Sequence, residues 1–485
     1  MSLRTVLQAA LAGAVVFSPA FGAHAAEQAP PGGLRALPEI VSRHGVLKVT
    51  LTATRKTVVV DGVEMDALVF NDEYGGPVLR VRPGDRMEVR LVNRTDKPVN
   101  LHWHGSHASP LGVSDNMHIV VQPGRHFDYR VRVPRTQPPG LYWYHTHVHG
   151  IAEEEVGRGL SGAMIVEGLE KRVPQAADVP SRLMVLKTFA LDRLDAPGAA
   201  RLHGVVQSIN GAAHAEVAVK AGGVELWRIS NQAPNDYYHL AVAGFRFRIV
   251  AIDGAPTNRD LVVDKLDIPP AGRIEALAIA PGPGDYPLLS GSTPTGTGRA
   301  LTLSRELAML HVTGERLSGP VDVTPVERKS ATPDLRQAAI TARREFTFTQ
   351  TPGAEVYFIN GKTFDHARID TRVPLGSIEE WTIRNDTDDM HVFHIHQVHF
   401  QVVAINGEAQ PFNGVMDTVR VPERGSVTIR IPFTDPQIVG RFMYHCHVLK
   451  HEDKGMMANI EVYDPKARAA PDHMHEHHMH GMGGG

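Results

Sequence analysis

Three stretches of the chain share one alternation of apolar and polar positions. Val81-Arg-Pro-Gly-Asp-Arg-Met-Glu-Val-Arg-Leu-Val-Asn93 is echoed by Val219-Lys-Ala-Gly-Gly-Val-Glu-Leu-Trp-Arg-Ile-Ser-Asn231 and by Val373-Pro-Leu-Gly-Ser-Ile-Glu-Glu-Trp-Thr-Ile-Arg-Asn385. Each opens on a glycine turn and continues as the run expected of a strand with one face buried. The echo extends downstream: Phe245-Arg-Phe-Arg-Ile-Val-Ala-Ile-Asp-Gly254 matches Phe400-Gln-Val-Val-Ala-Ile-Asn-Gly407. Turn-plus-strand pairs follow at Val121-Gln-Pro-Gly, Pro270-Ala-Gly and Val421-Pro-Glu-Arg-Gly. Copies about 140–150 residues apart exceed the period of a solenoid or propeller, so each copy predicts a whole domain.

Many short strands, 45 Gly and 34 Pro indicate an all-β chain built from antiparallel β-sandwiches. The repeats divide it into three sandwiches at about 35–170, 178–318 and 335–468, with a linker at about 319–340. Fifty basic and 53 acidic residues leave a net charge of −3, which argues against a nucleic-acid or membrane-surface partner. A single cysteine excludes an intrachain disulfide. Arg4, the apolar stretch Val6–Phe17 and the small residues around Ala23–Ala26 predict an export signal over 1–26, so the mature protein is expected in the periplasm or secreted. No later segment is long and apolar enough to predict a membrane span.

Four segments carry the candidate chemistry: His102-Trp-His104-Gly, His145-Thr-His147-Val-His149-Gly, His391-Val-Phe-His394-Ile-His396, and His445-Cys446-His447-Val-Leu-Lys-His451-Glu-Asp-Lys-Gly455-Met456. Histidines at i and i+2 of a strand project to the same face and can grip neighbouring metals. By the same parity His391 faces away from His394, and Cys446 away from His445 and His447, so one strand links two sites. Two His, one Cys and a weak axial Met form the ligand set of a blue-copper centre. The second repeat reads Tyr237-Tyr-His239-Leu-Ala, which leaves His239 an ordinary hydrogen-bonded histidine and the middle domain a spacer. One His-x-His pair alone could serve a structural zinc, and a lone buried Cys is commonly an inert small hydrophobe. It is the combination that points to copper.

These residues resemble the multicopper oxidases, a family that includes laccases, bilirubin oxidases and bacterial copper-efflux oxidases, and the resemblance runs through the whole mature chain. It implies three tandem cupredoxin-like Greek-key sandwiches and four copper ions. His391, Cys446, His451 and Met456 resemble the type 1 ligands, and His102 and His394 the type 2 ligands. His104, His145, His147, His396, His445 and His447 resemble the paired type 3 ligands, which leaves the middle domain without copper. The family oxidises its substrate one electron at a time at type 1 copper and reduces O2 to water at the other three. Asp115 and Glu452 resemble its proton-relay acids and Asp417 an aspartate that steadies a ligand, whereas His149 and His399 are extra to the pattern.

The segments around His149 and Met456-Met457 are similar to the copper-efflux branch, which implies a monomer using Cu(I) as reductant in copper tolerance. A His/Met-rich tail over 469–485 carries five His and three Met between Asp472 and Met482, and thioethers favour Cu(I). The Met-rich insert common in that branch is missing, since residues 397–440 hold only Met416. A laccase acting on small aromatic reductants, phenols or amines, is therefore the alternative. A copper-storage or scaffold protein stands further off, because all twelve ligand positions are filled. A zinc hydrolase fits neither the repeat nor the Cys segment.

Overall fold

The computed structural model describes residues 34–467 apart from 61, 191–204, 295–304, 316–323 and 330–331. The expected export signal and His/Met tail, and part of the expected linker, lie outside the described residues. The described strands form six sheets, which pair face to face around three apolar cores. The fold is all-β, and among the described residues two short α-helices, Ala152–Arg158 and Leu449–Asp453, follow the histidine strands of the first and third sandwiches.

The repeat blocks become strands Arg86–Asn93, Val224–Asn231 and Ser377–Asn385, each hydrogen-bonded on both sides within its sheet. The third alternates buried and part-exposed residues along nearly its whole length. Trp227 and Trp381 fill the second and third cores, and each indole N–H donates to a glutamate two residues earlier, Glu225 at 3.1 Å and Glu379 at 2.8 Å. Arg182 and Arg344 clamp those carboxylates from the neighbouring strand, so the polar end of each tryptophan is satisfied.

The sheets are mixed rather than antiparallel. Strands Val46–Val60, Ser181–Ala190 and Ala342–Gln350 run parallel to the three repeat strands. Between the two, the chain visits the opposite sheet, at Val78–Val81, Ala215–Lys220 and Thr371–Pro374 respectively. Such a crossover delivers the next strand parallel, where a hairpin would reverse it.

The asparagine ending each repeat strand braces the turn beyond it. Asn93 Nδ2 donates to the carbonyls of Lys97 and Val121, Asn231 Nδ2 to Asp236 and Ile268, and Asn385 Nδ2 to Asp389 and Pro422. In the outer two sandwiches the Asn Oδ1 also accepts from a threonine two residues on, Thr95 or Thr387. The brace folds the chain into the strand bearing the histidines, His102–His104 or His391–Ile395. Those strands pair with Gly140–His145 and Gly440–Cys446, which sets His102 opposite His145 and His394 opposite His445.

Candidate metal centres

The histidine-bearing sheets of the first and third sandwiches meet, and their rings interleave. His102 stacks on His396 and His104 on His394, each with centroids 3.8 Å apart. His145, His147, His445 and His447 complete a group of eight imidazoles, each at most 3 % exposed. Three nitrogen sets lie close enough to share an ion: His102, His104 and His145; His102, His394 and His396; and His147, His396 and His445. His447 belongs to none of those sets, but its ring lies 4.9 Å from His104 and 5.3 Å from His445.

Neighbouring groups fix which nitrogen is free. The Nδ1–H of His102 donates to Asp115 at 3.2 Å, and those of His145 and His394 donate to the Thr146 and Asp417 carbonyls, both at 2.8 Å. Their Nε2 atoms are buried without a hydrogen-bond partner. His104 is held the other way round, Nε2–H to Asp417 at 3.1 Å, leaving Nδ1 unpartnered. The Nε2 atoms of His147 and His396 both face His445 Nε2, at 3.3 and 3.2 Å. Burial, joined at most positions by repulsion from neighbouring imidazoles, holds all eight pKa values below the ordinary range, so the rings are neutral. Neutral imidazoles with inward, unpartnered lone pairs are costly unless they meet a cation, and they fit copper.

The second centre lies behind the same strands. His391 Nδ1, Cys446 Sγ and His451 Nδ1 form a triangle with sides of 3.4, 3.7 and 3.1 Å. Three donor atoms this close together, two imidazole nitrogens and a sulfur, could hold one metal ion. Thr387 orients the His391 ring through Nε2 at 3.0 Å, and the Val392 N–H donates to the sulfur at 3.5 Å. His451 rides on helix Leu449–Asp453, whose first N–H groups are held by Pro234 and Asn235 of the middle sandwich. Gly455, at φ +114°, makes the turn that buries Met456 beside Cys446, and any side chain there would strike Thr363 and the Tyr357 carbonyl.

Burial pushes the Cys446 thiol up to about 12 and His391 down to about 4. The thiol therefore carries its proton until a cation displaces it, whereas the imidazoles are already neutral. Between about pH 5 and 9, metal binding at this trio is expected to release one proton and to tighten about tenfold per pH unit. Chelator competition across that range measures the slope, and a flat profile would contradict a thiolate ligand.

Asp115 and Glu452 are fully buried. Asp115 accepts from the Trp103 N–H and from Gln397 Nε2 at 2.6 Å, and burial raises it to about 7. Glu452 also stands at about 7 because of burial, with Oε2 2.9 Å from His445 Nδ1 and Oε1 3.6 Å from His147 Nε2. His399 bonds His107 and the Asp253 carbonyl, while His149 lies against Phe364 and His366. His239 pairs with Asp267.

Sequence reasoning missed the middle sandwich's contribution to this region. Arg273 is fully buried and reaches Asp417 with both terminal nitrogens, and Asp253 accepts from the Thr418 N–H. Asp417 thus links the third sandwich to His104 of the first and Arg273 of the second. Gly105, at φ +80°, leaves room for this junction, where a side chain would collide with Asp417, Arg273 and Tyr142. The only sequence signal was the position of Arg273 just after the repeated Pro270-Ala-Gly turn.

Three sequence signatures, each described as multicopper oxidase, match residues 52–171, 142–315 and 328–466. The chain belongs to the multicopper oxidase family. The family implies copper as the metal and a reductant and O2 as reactants. A multicopper oxidase from Staphylococcus haemolyticus is 25% identical over 412 residues, covering 82% of this chain and 84% of that protein. The cell division protein FtsP of Escherichia coli is likewise 25% identical, covering 81% and 84%. Among solved structures, a multicopper oxidase from Campylobacter jejuni described as a metallo-oxidase superposes with a TM-score of 0.75 at 25% identity, covering 90% of this chain and 96% of that one. A laccase-like multicopper oxidase, CueO from an Ochrobactrum species, described as acting on lignin model compounds, gives 0.74 at 26% identity, covering 88% and 100%.

Proposed function

We infer that this multicopper oxidase oxidises Cu(I) and passes the electrons to O2, in the balance 4 Cu(I) + O2 + 4 H⁺ to 4 Cu(II) + 2 H2O. The observation that carries the choice of reductant is the buried, covered ring of His451. That ring is fully buried and stacked beneath Tyr357, with centroids 4.1 Å apart and planes 25° from parallel. Burial, helped by the nearby charges of Asp389, Glu355 and Glu153, raises the Tyr357 hydroxyl to about 12, and Lys450 pairs with Glu355. A planar phenol needs to reach the His451 ring, which is buried and has Tyr357 stacked on it, whereas a small cation approaching carboxylates does not.

In this reading four coppers are held by the twelve expected positions, His391, Cys446, His451 and Met456 at type 1 and the eight remaining histidines at the cluster. When bound, the first copper would accept single electrons, and together with the other three it would hold the four electrons that take O2 to water without release of partly reduced oxygen. The chain's residues supply the rest. Cys446 is covalently continuous with His445 and His447, which makes one strand the route between the centres. Glu452 and Asp115, beside His445 and His102, hold protons close to where oxygen is reduced and stand near neutral pH, the range suited to donors.

Export by residues 1–26 and delivery of Cu(I) by the 469–485 tail belong to the same reading. Among the described residues no helix is long and apolar enough to cross a membrane. The laccase reading is favoured by the lignin-related activity of the Ochrobactrum protein. Oxygen uptake by the copper-loaded protein, with Cu(I) and with a phenol as parallel donors, separates the two. Cu(I) is expected to be the faster donor, and Tyr357→Ala to raise phenol turnover while leaving Cu(I) turnover little changed. A wild type that oxidises phenol faster, or a variant without that shift, would favour the laccase.

A further inference from the structure

On the face where the first and third sandwiches meet, a second group of soft donors lies outside both centres. His366 lies 6.1 Å from the rings of both His118 and His149, and Phe364 is 4.7 Å from His149 and 4.9 Å from His366. His118 and His366 are exposed, while His149 is half-buried with an unpartnered Nδ1. Beneath them Met117, Met443 and Met457 pack together against Phe364, at 6, 3 and 1 % exposure.

Each inner member sits one step from the eight-histidine cluster. His149 follows His147 by two residues, and Met443 precedes His445 by two on the same strand face. Met457 is the cross-strand partner of His445, and the Met443 carbonyl accepts from the His396 N–H. Met117 follows Asp115, whose carboxylate holds His102. The donors therefore form a graded path, with exposed imidazoles outside, a half-buried imidazole next, and buried thioethers against the cluster.

We propose that this path is a loading port through which monovalent copper reaches the eight-histidine cluster. Uncharged thioethers and imidazoles are the donors that favour Cu(I). Arg441 lies at the mouth, where it donates to the carbonyls of His366 and Arg368, and Asp365, Asp370 and Glu461 counter its charge; Arg368 in the same segment is paired with Asp370. Transfer is ligand exchange alone: copper leaves its donor complex, passes between neutral side chains and stays Cu(I), with no electron moved. The port takes its destination from the copper assignment above but not the choice of reductant.

The test is metallation of the full-length apoprotein without oxygen, using the Cu(I)–bicinchoninate complex as donor. Aliquots are washed with excess chelator to strip copper from the tail, and retained copper per chain is counted over time. Two variants are compared with wild type, Met443→Leu/Met457→Leu, which conserves core volume, and His118→Ala/His366→Ala at the surface. Both are expected to load about tenfold or more slowly, the scale of loss when partners around a metal site are removed. Both should reach the wild-type copper content, and from a Cu(II) salt both should load at the wild-type rate. Unchanged Cu(I) loading in the two variants overturns the port, as does equal slowing with Cu(I) and Cu(II), which would make these residues structural. Because copper is counted without O2, failure here is distinct from failure of the oxidase reading.

Discussion

Replacing Cys446 by serine is expected to remove the blue absorption and reduce oxygen uptake to background, with the fold intact by circular dichroism. A hydroxyl is nearly the size of the thiol and can bond His391 or His451, so the packing cost is small. It is a hard donor that stays protonated, and it cannot supply the soft, covalent thiolate that sets a blue-copper centre. The informative partner is Glu452→Gln. Amide and carboxyl have the same shape, and the residue touches the cluster histidines rather than the Cys446 trio. That variant should keep the blue band and lose about 100-fold or more in oxygen uptake, the range for a missing proton donor. A Cys446→Ser protein that still turns over would break the assignment of the electron route. A Glu452→Gln protein at wild-type rate would confine Glu452 to orienting His445.

The parts of this molecule legible in the sequence are those that follow local rules. Strand alternation marked the three repeats and turned His391 and Cys446 away from the neighbouring histidines, because side-chain direction along a strand is set by the backbone alone; of the His-x-His pairs only His102 and His104 lie wholly on a strand, while His147, His396 and His447 stand just past the ends of theirs. The parallel strands were not visible, since a crossover through the opposite sheet leaves no mark on either strand's own pattern. Nor was the Arg273–Asp417–His104 junction, whose members stand 144 and 313 residues apart in the chain. Tyr357 over His451 was hidden for the same reason: an isolated tyrosine near a Gly turn gives no cue that it will cover a ring about ninety residues later. The burial of Asp115 and Glu452 is likewise a tertiary fact, because neighbouring residues cannot reveal whether a carboxylate is solvated.

Arg273→Met is expected to cost about 3–5 kcal/mol, the penalty for breaking a buried ion pair from one side. Arg273 is fully buried and gives hydrogen bonds to Asp417 Oδ1 at 2.9 Å, Asp417 Oδ2 at 2.5 Å and the Ala271 carbonyl at 2.8 Å, with Asp253 3.5 Å away. Its charge holds Asp417 well below the usual carboxylate range, while burial and the Asp417 charge keep Asp253 up at about 7. Methionine fills the space but leaves both carboxylates without a counter-charge, so in the variant each folded-state pKa rises above its unfolded value. A group raised on folding contributes stability at low pH and loses it as pH climbs through the folded value. The penalty should therefore be largest near pH 8 and shrink toward pH 4, where both acids can be neutral. In the wild type the depressed Asp417 contributes stability above the unfolded carboxylate pKa of about 4 and loses it only as pH falls through its folded value. Adding Asp417→Asn to the methionine variant should recover part of the loss, because one stranded charge is gone. Denaturant midpoints at both pH values measure this. A penalty below about 1 kcal/mol at pH 8, the scale of an exposed pair, would mean that water reaches the junction and that the middle sandwich does not hold the cluster in place.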